Sequence, residues 1–75
     1  MLKKHSLKLW GHATSITLEE IFWKSLKDIA LQRNIPLHKL VEEIDETREV
    51  NLCSALRVYI LQYYQLQVNH CRNIE

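Results

Sequence analysis

Ala13-Thr14-Ser15-Ile16-Thr17-Leu18, running straight into Glu19-Glu20-Ile21-Phe22-Trp23, is the stretch on which the reading of this chain turns. Thr14, Ile16 and Leu18 fall on one face of a strand, and Ala13, Ser15 and Thr17 on the other. One face is branched or apolar; the other is small and hydroxyl-bearing. A strand with an open edge leaves backbone donors and acceptors unmet, so it needs a partner strand. The expected partner is the same strand of a second copy, and a second candidate lies within the chain. The weaker alternating run Ser6-Leu7-Lys8-Leu9 precedes it, across Trp10-Gly11-His12-Ala13, which holds the chain's one glycine and reads as a turn. A hairpin between residues 6–9 and 14–17 is one solution. The other is the same strand of a second copy, with residues 1–12 left as an extended arm.

In both cases the product is a two-stranded ribbon with hydroxyls on its exposed face. Such a ribbon is one of the few objects that fit the major groove of DNA. Charge distribution points the same way. The net charge is only +1, but residues 1–12 hold Lys3, Lys4 and Lys8 with His5 and His12 and no acid, while the other seven Lys or Arg face nine Asp or Glu. A basic segment that meets a polyanion, joined to a mildly acidic body, is the expected arrangement.

Three helices follow. Thr17-Leu18-Glu19-Glu20 has the spacing of a capping box and predicts a first helix from near Leu18. Phe22, Leu26, Ile29 and Ala30 form its buried stripe, with Ile21 and Trp23 on the flanks, and Asn34 is a left-handed stop before Ile35-Pro36. Pro36 suits the first turn of a second helix, in which Leu37, Leu40, Val41 and Ile44 repeat at helical spacing and Glu42, Glu43, Asp45 and Glu46 are solvated. Asn51 caps a third helix, with Val50 and Ala55 placed as a hydrophobic staple. Its stripe is Leu52, Ala55, Leu56, Tyr59, Ile60 and Tyr63. Val58, Leu61 and Tyr64 spread apolar surface beyond that stripe, which predicts cover from two sides, one of them a second subunit. Trp10 is expected to pack beneath the hairpin, and Arg57 to pair with Glu43 or Asp45 or to snorkel. The divisions are 1–12, a basic arm or first hairpin strand; 13–66, the folded domain; and 67–75, a polar tail.

At 75 residues the chain has room for one domain with a thin core, and oligomerisation is a common remedy at this size. Cys53 and Cys71 form no CxxC or similar spacing, which fits a reducing cytosol. No apolar run follows the basic Met1-Leu2-Lys3-Lys4, and none approaches membrane-spanning length. Four histidines without paired spacing, and the His70-Cys71 pair alone, predict no metal site. With no glycine-rich phosphate loop and no nucleophile motif, neither catalysis nor a cofactor is expected.

By their order and spacing, His5-Ser6-Leu7-Lys8-Leu9, Gly11-His12, Thr14-Ser15-Ile16-Thr17-Leu18-Glu19, Phe22-Trp23, Leu26, Ile29-Ala30, Ile35 with Leu37, Leu40-Val41, Glu43-Ile44-Asp45 and Asn51-Leu52-Cys53-Ser54-Ala55-Leu56-Arg57-Val58 resemble the ribbon-helix-helix DNA-binding proteins. The likeness is to the bacterial variant with an extended N-terminal arm and an additional C-terminal helix. It implies a mainly α fold with a short N-terminal β-ribbon, assembled as an intertwined homodimer. It further implies a cytoplasmic, nucleoid-associated transcriptional regulator whose partner is double-stranded DNA.

Carried onto this sequence, the resemblance makes Ala13, Ser15 and Thr17 base-facing. Lys3, Lys4, Lys8 and His12 hold phosphates, and so do the backbone amides of Leu37, His38 and Lys39 at the second helix. The dimer interface is Thr14, Ile16, Leu18, Trp23, Leu56, Tyr59, Ile60 and Tyr63. Should the third helix take the clamping role, the amides are those of Asn51, Leu52 and Cys53. Two residues depart from the family's pattern: Ala13 stands where a basic reader is common, and Pro36 where a serine cap is favoured. The alternative expectation is a homodimeric, antitoxin-like or adaptor module whose third helix binds a protein partner.

Overall fold

Trp10 and Gly11 both take positive φ, 55° and 80°, as the two central residues of a type I′ hairpin turn must. A computed structural model describes the backbone of residues 2–72 and the side chains of residues 2–68. The turn joins β1 (Leu2–Leu9) to β2 (His12–Glu19), which pair antiparallel from Leu9↔His12 out to Leu2↔Glu19. The ribbon is therefore a hairpin within one chain, and the basic N-terminal segment is its first strand. A four-residue turn would have set Leu9 opposite Thr14; the two-residue turn sets Leu7 there. The register shifts by an even step, so every side chain keeps its face.

The inner face brings His5, Leu7, Leu9, Ile16 and Leu18 toward three helices: α1 (Glu20–Gln32), α2 (Leu37–Thr47) and α3 (Leu52–Arg72). The core joins Leu9, Ile16 and Leu18 of the ribbon to Leu26, Ile29 and Ala30 of α1, Leu40, Val41 and Ile44 of α2, and Leu56 and Ile60 of α3. The helical stripes read from the sequence meet there. Asn34 is left-handed (φ 59°). Its N–H donates to the Leu31 carbonyl (3.0 Å) and that of Ile35 to the Ala30 carbonyl (3.0 Å), the Schellman pattern that ends α1. Asn51 Oδ1 accepts the Ser54 amide at 2.9 Å and starts α3.

Four expectations are corrected. The capping box of Thr17 and Glu20 does not form: α1 begins at Glu20, and its N-cap, Glu19, is extended with no side-chain cap. The ladder pairs Thr17 with Lys4 and Leu18 with Lys3, and so holds both residues in the strand. Glu42, assigned to the solvated side of α2, is buried. Its Oε2 accepts the Trp10 backbone N–H at 2.8 Å, meeting a donor that the left-handed turn presents to α2. Trp10 is not packed beneath the hairpin but is 53% exposed at its tip, with Nε1 donating to Asp45 at 3.2 Å. Arg57 pairs with neither Glu43 nor Asp45; its Nε donates to Glu19 Oε1 at 2.9 Å.

Burial also bears on the expected dimer interface. Ile16, Leu18, Leu56 and Ile60 are at most 3% exposed within a single chain, because the hairpin and α3 bury them against each other. Thr14 is exposed, and Trp23, Tyr59 and Tyr63 keep part of their surface.

No atom lies within 4 Å of where a Cβ on Gly11 would stand, so substitution there is costly through backbone conformation alone. Gly11→Ala should lower unfolding free energy by about 1–2 kcal/mol in urea titration, and a D-alanine at position 11, introduced by chemical synthesis, should restore it. Equal losses for both enantiomers would contradict the assigned turn.

Candidate nucleic-acid interface

The side chains that the hairpin turns away from the core make up a coherent surface. Lys4, Ser6 and Lys8 alternate outward on β1, and Ala13, Ser15 and Thr17 on β2; all six are exposed. The register sets Lys4 opposite Thr17, Ser6 opposite Ser15 and Lys8 opposite Ala13. Directly opposed side chains stand about 4.5–5.5 Å apart at Cβ, and around Ser6, Lys8, Ala13 and Ser15 the surface forms a shallow open depression. Strands of eight residues are about 27 Å long. The surface is two strands wide, free of acid over most of its length, and crowned by hydroxyls and amines.

The acid at its far end is neutralised. Glu19 receives the Arg57 guanidinium, whose carbon also stands 6.0 Å from the centre of the Phe22 ring. That hydrogen bond, with one from the residue's own amide, holds the Glu19 carboxyl below its ordinary 4.5. Beneath the ribbon His5 stacks on Trp23, with ring centroids 4.1 Å apart and planes 8° from parallel. Glu20 lies 3.7 Å from His5 Nε2 and 4.0 Å from Lys3 Nζ. At the tip, the Asp45 carboxyl is lowered first by the hydrogen bond from Arg48 and then by that from Trp10. Among the helices, Arg33 donates to the Tyr59 hydroxyl (3.1 Å) and Glu43 (3.3 Å).

The residues expected at phosphates divide between faces. Lys4 and Lys8 stand on the outer face with Ser15 and Thr17, whereas Lys3 and His12 belong to the inner register at the two ends of the ribbon, both exposed. At α2, Pro36 is the N-cap and makes no side-chain cap; Leu37 is half-buried, and His38 and Lys39 are exposed. The Lys39 amide already donates to the Pro36 carbonyl at 3.1 Å, which leaves those of Leu37 and His38 as first-turn donors. At the alternative clamp, the Cys53 thiol donates to the Thr17 carbonyl at 3.3 Å.

Ser6 belongs to the outer face and was not foreseen there. Its alternation with Leu7 and Leu9 could have revealed it, since a period of two puts Ser6 on the outer face with Lys8 whichever turn is chosen. Among the described residues no three of His, Cys, Asp and Glu gather as metal ligands. The His70 and Cys71 side chains lie outside the described residues.

A family model, the ribbon-helix-helix domain, matches residues 2–64, spanning both strands and α3 as far as Tyr64. The chain belongs to the ribbon-helix-helix domain family. Among solved structures it is similar to an uncharacterized protein from Bordetella pertussis Tohama I, at 33% identity and a TM-score of 0.76. That likeness covers 93% of this chain and 61% of the Bordetella protein, so this ribbon-helix-helix chain spans about three-fifths of its neighbour's length. No curated protein matches the chain.

Glu19 ties the ribbon-helix-helix core to the end of its ribbon, and the sign of its pH dependence follows. A carboxyl held low in the folded state contributes stability that is complete above the unfolded value of 4.5 and is lost as pH falls through the folded value. In Arg57→Gln the Glu19 titration, followed by carbon-13 NMR, should move up toward 4.5, and the acid limb of the stability curve should flatten. An unmoved titration would detach Glu19 from Arg57.

Proposed function

We propose that this ribbon-helix-helix protein is a double-stranded DNA-binding transcriptional regulator of bacterial type, acting as a homodimer on the nucleoid in the cytoplasm. It lays the outer face of its hairpin in the major groove. One observation carries the reading: six exposed side chains in cross-strand register are lysine, serine, threonine or alanine, with no acid among them. Membership of a family that generally binds DNA as dimers supports it. Among the described residues no helix is long and apolar enough to cross a membrane.

In this reading Ala13, Ser15 and Thr17 face bases. The Thr17 hydroxyl is suited to that role, because it does not cap α1. Lys4 is the outer-face phosphate contact, and Lys3 and His12 reach the strands that flank the groove. The amides of Leu37 and His38, beside the Lys39 side chain, clamp a phosphate. Surface left on Thr14, Trp23, Tyr59 and Tyr63 is available for the second subunit.

A second reading has its own observation. Val58, Leu61, Leu66 and Val68 are each more than half exposed along α3, and apolar surface of that kind marks protein contacts. That is the adaptor or antitoxin-like reading, with a protein partner on the third helix.

Fluorescence anisotropy on pooled genomic fragments separates the two readings. DNA binding should weaken by orders of magnitude between about 50 and about 200 mM salt, and Lys4→Ala, which removes one phosphate contact from each subunit, should reduce the slope of log K against log salt by about 1.8 for the dimer. A folded protein that binds nothing at the lower salt would leave the α3 reading standing instead.

A further inference from the structure

The hairpin places two strands of unlike chemistry side by side. β1 offers Lys4, Ser6 and Lys8, and β2 offers Ala13, Ser15 and Thr17. One strand is cationic and the other carries hydroxyls and a methyl, so the ribbon is asymmetric across its width. We propose that β1 reads sequence together with β2. Lys8 donates to a guanine, the Ala13 methyl lies against a neighbouring thymine methyl, and Ser6 shares the next base pair with Ser15. This inference rests on the DNA-binding reading above and reassigns Lys8 from phosphate to base.

Three observations support the assignment. Lys8 has no carboxylate within 4.0 Å among the described residues, whereas Lys3 stands near Glu20 and Arg57 is occupied by Glu19. Its ammonium is uncommitted. Next, the cross-strand neighbour of Lys8 is Ala13, whose single methyl leaves the depression open for the lysine stem. A larger residue opposite would lift the amine off the groove floor. Finally, the hydroxyls of Ser6, Ser15 and Thr17 accept and donate no hydrogen bond among the described residues, in contrast to the Thr47 hydroxyl, which donates to the Glu43 carbonyl. They are unspent.

The base chemistry follows from what the groove displays. Guanine presents two acceptors, N7 and O6, side by side, whereas adenine sets a donor beside N7 that an ammonium cannot use. Thymine alone among the four bases carries a methyl there, the natural neighbour of the Ala13 methyl. A serine hydroxyl donates or accepts, so Ser6 and Ser15 together can satisfy a base pair that shows both kinds of group. The preferred site therefore holds a guanine beside a thymine. Lys4 and Lys8 share the ribbon's face, and their cross-strand neighbours separate them: Lys8 stands opposite the small Ala13 and is placed to read, whereas Lys4 stands opposite Thr17, nearer the Glu19 end, and is placed to hold with Lys3 and His12.

The test is in vitro selection by the full chain from a randomised duplex pool at about 50 mM salt, repeated with Lys8→Ala and Ser6→Ala. Both substitutions fall at exposed positions, and circular dichroism checks that each variant folds. The wild type should enrich duplexes with guanine next to thymine. Replacing that guanine by 7-deazaguanine should weaken wild-type binding by about tenfold, within the range of a good base contact, and leave Lys8→Ala unchanged. Ser6→Ala should broaden the preference at the adjoining pair only. A Lys8→Ala protein that keeps the guanine preference while weakening equally on every duplex would overturn this inference and leave DNA binding intact. A folded wild type that retains no duplex at all would overturn both.

Discussion

The hydrogen bond from the Trp10 amide to Glu42 is the constraint on which the rest of this structure depends. A two-residue turn with both residues left-handed points a backbone N–H out of the ladder, and burying that donor unmet costs about 1–3 kcal/mol. Glu42, thirty-two residues away on α2, meets it with an ionisable oxygen, the stronger kind of acceptor. The bond does more than satisfy a donor. It fixes the hairpin tip against the second helix, and Asp45 repeats the attachment through the indole of Trp10. At the other end Arg57 holds Glu19 and the Cys53 thiol holds the Thr17 carbonyl, both from α3. The ribbon is thus fastened at each end to a different helix, with the Leu9, Ile16 and Leu18 side chains packed between.

That fastening divides the charge of the molecule. Of the three lysines in the ribbon, Lys3 belongs to the inner register and lies near Glu20, while Lys4 and Lys8 are turned outward with the hydroxyls. Glu19 is the only acid within either strand, and the same arginine that anchors the strand end neutralises it. A surface built this way attracts a polyanion locally although the net charge of the chain is only +1. Net charge governs solubility and long-range steering, whereas the register of two short strands decides what a groove would meet.

Much of this was legible in the sequence, and the limits have physical causes. Alternation in residues 13–18 assigned the outward face correctly, because a period of two survives any even change of register. Asn34 and Asn51 declared the end of one helix and the start of another, since capping is local chemistry. Glu42 was illegible: among Glu43, Asp45 and Glu46 nothing local distinguishes the one carboxylate that a remote turn requires. The Thr17–Glu20 capping box misled for a related reason. Its spacing is right, but ladder pairing of Thr17 with Lys4 keeps the threonine extended, and tertiary structure overrides the local signal. Arg57 showed the same limit, with an acid of the strand, Glu19, preferred to those of α2. In the candidate site, the alternation of Ser6 with Leu7 already turned it outward, and only its pairing with Ser15 depended on the turn length.

A ribbon completed within one chain changes what a second copy adds. Where two chains each supply a single strand, the reading element exists only in the dimer, and its folding is inseparable from protein concentration. Here the ladder from Leu2↔Glu19 to Leu9↔His12 forms inside one chain, as does the core beneath it, and each strand keeps one edge unpaired among the described residues. On the DNA-binding reading, each subunit carries a whole six-position face, and a partner brings a second such face. Affinity would then grow by joining two sites, each already formed, so the gain is governed by their spacing on the duplex.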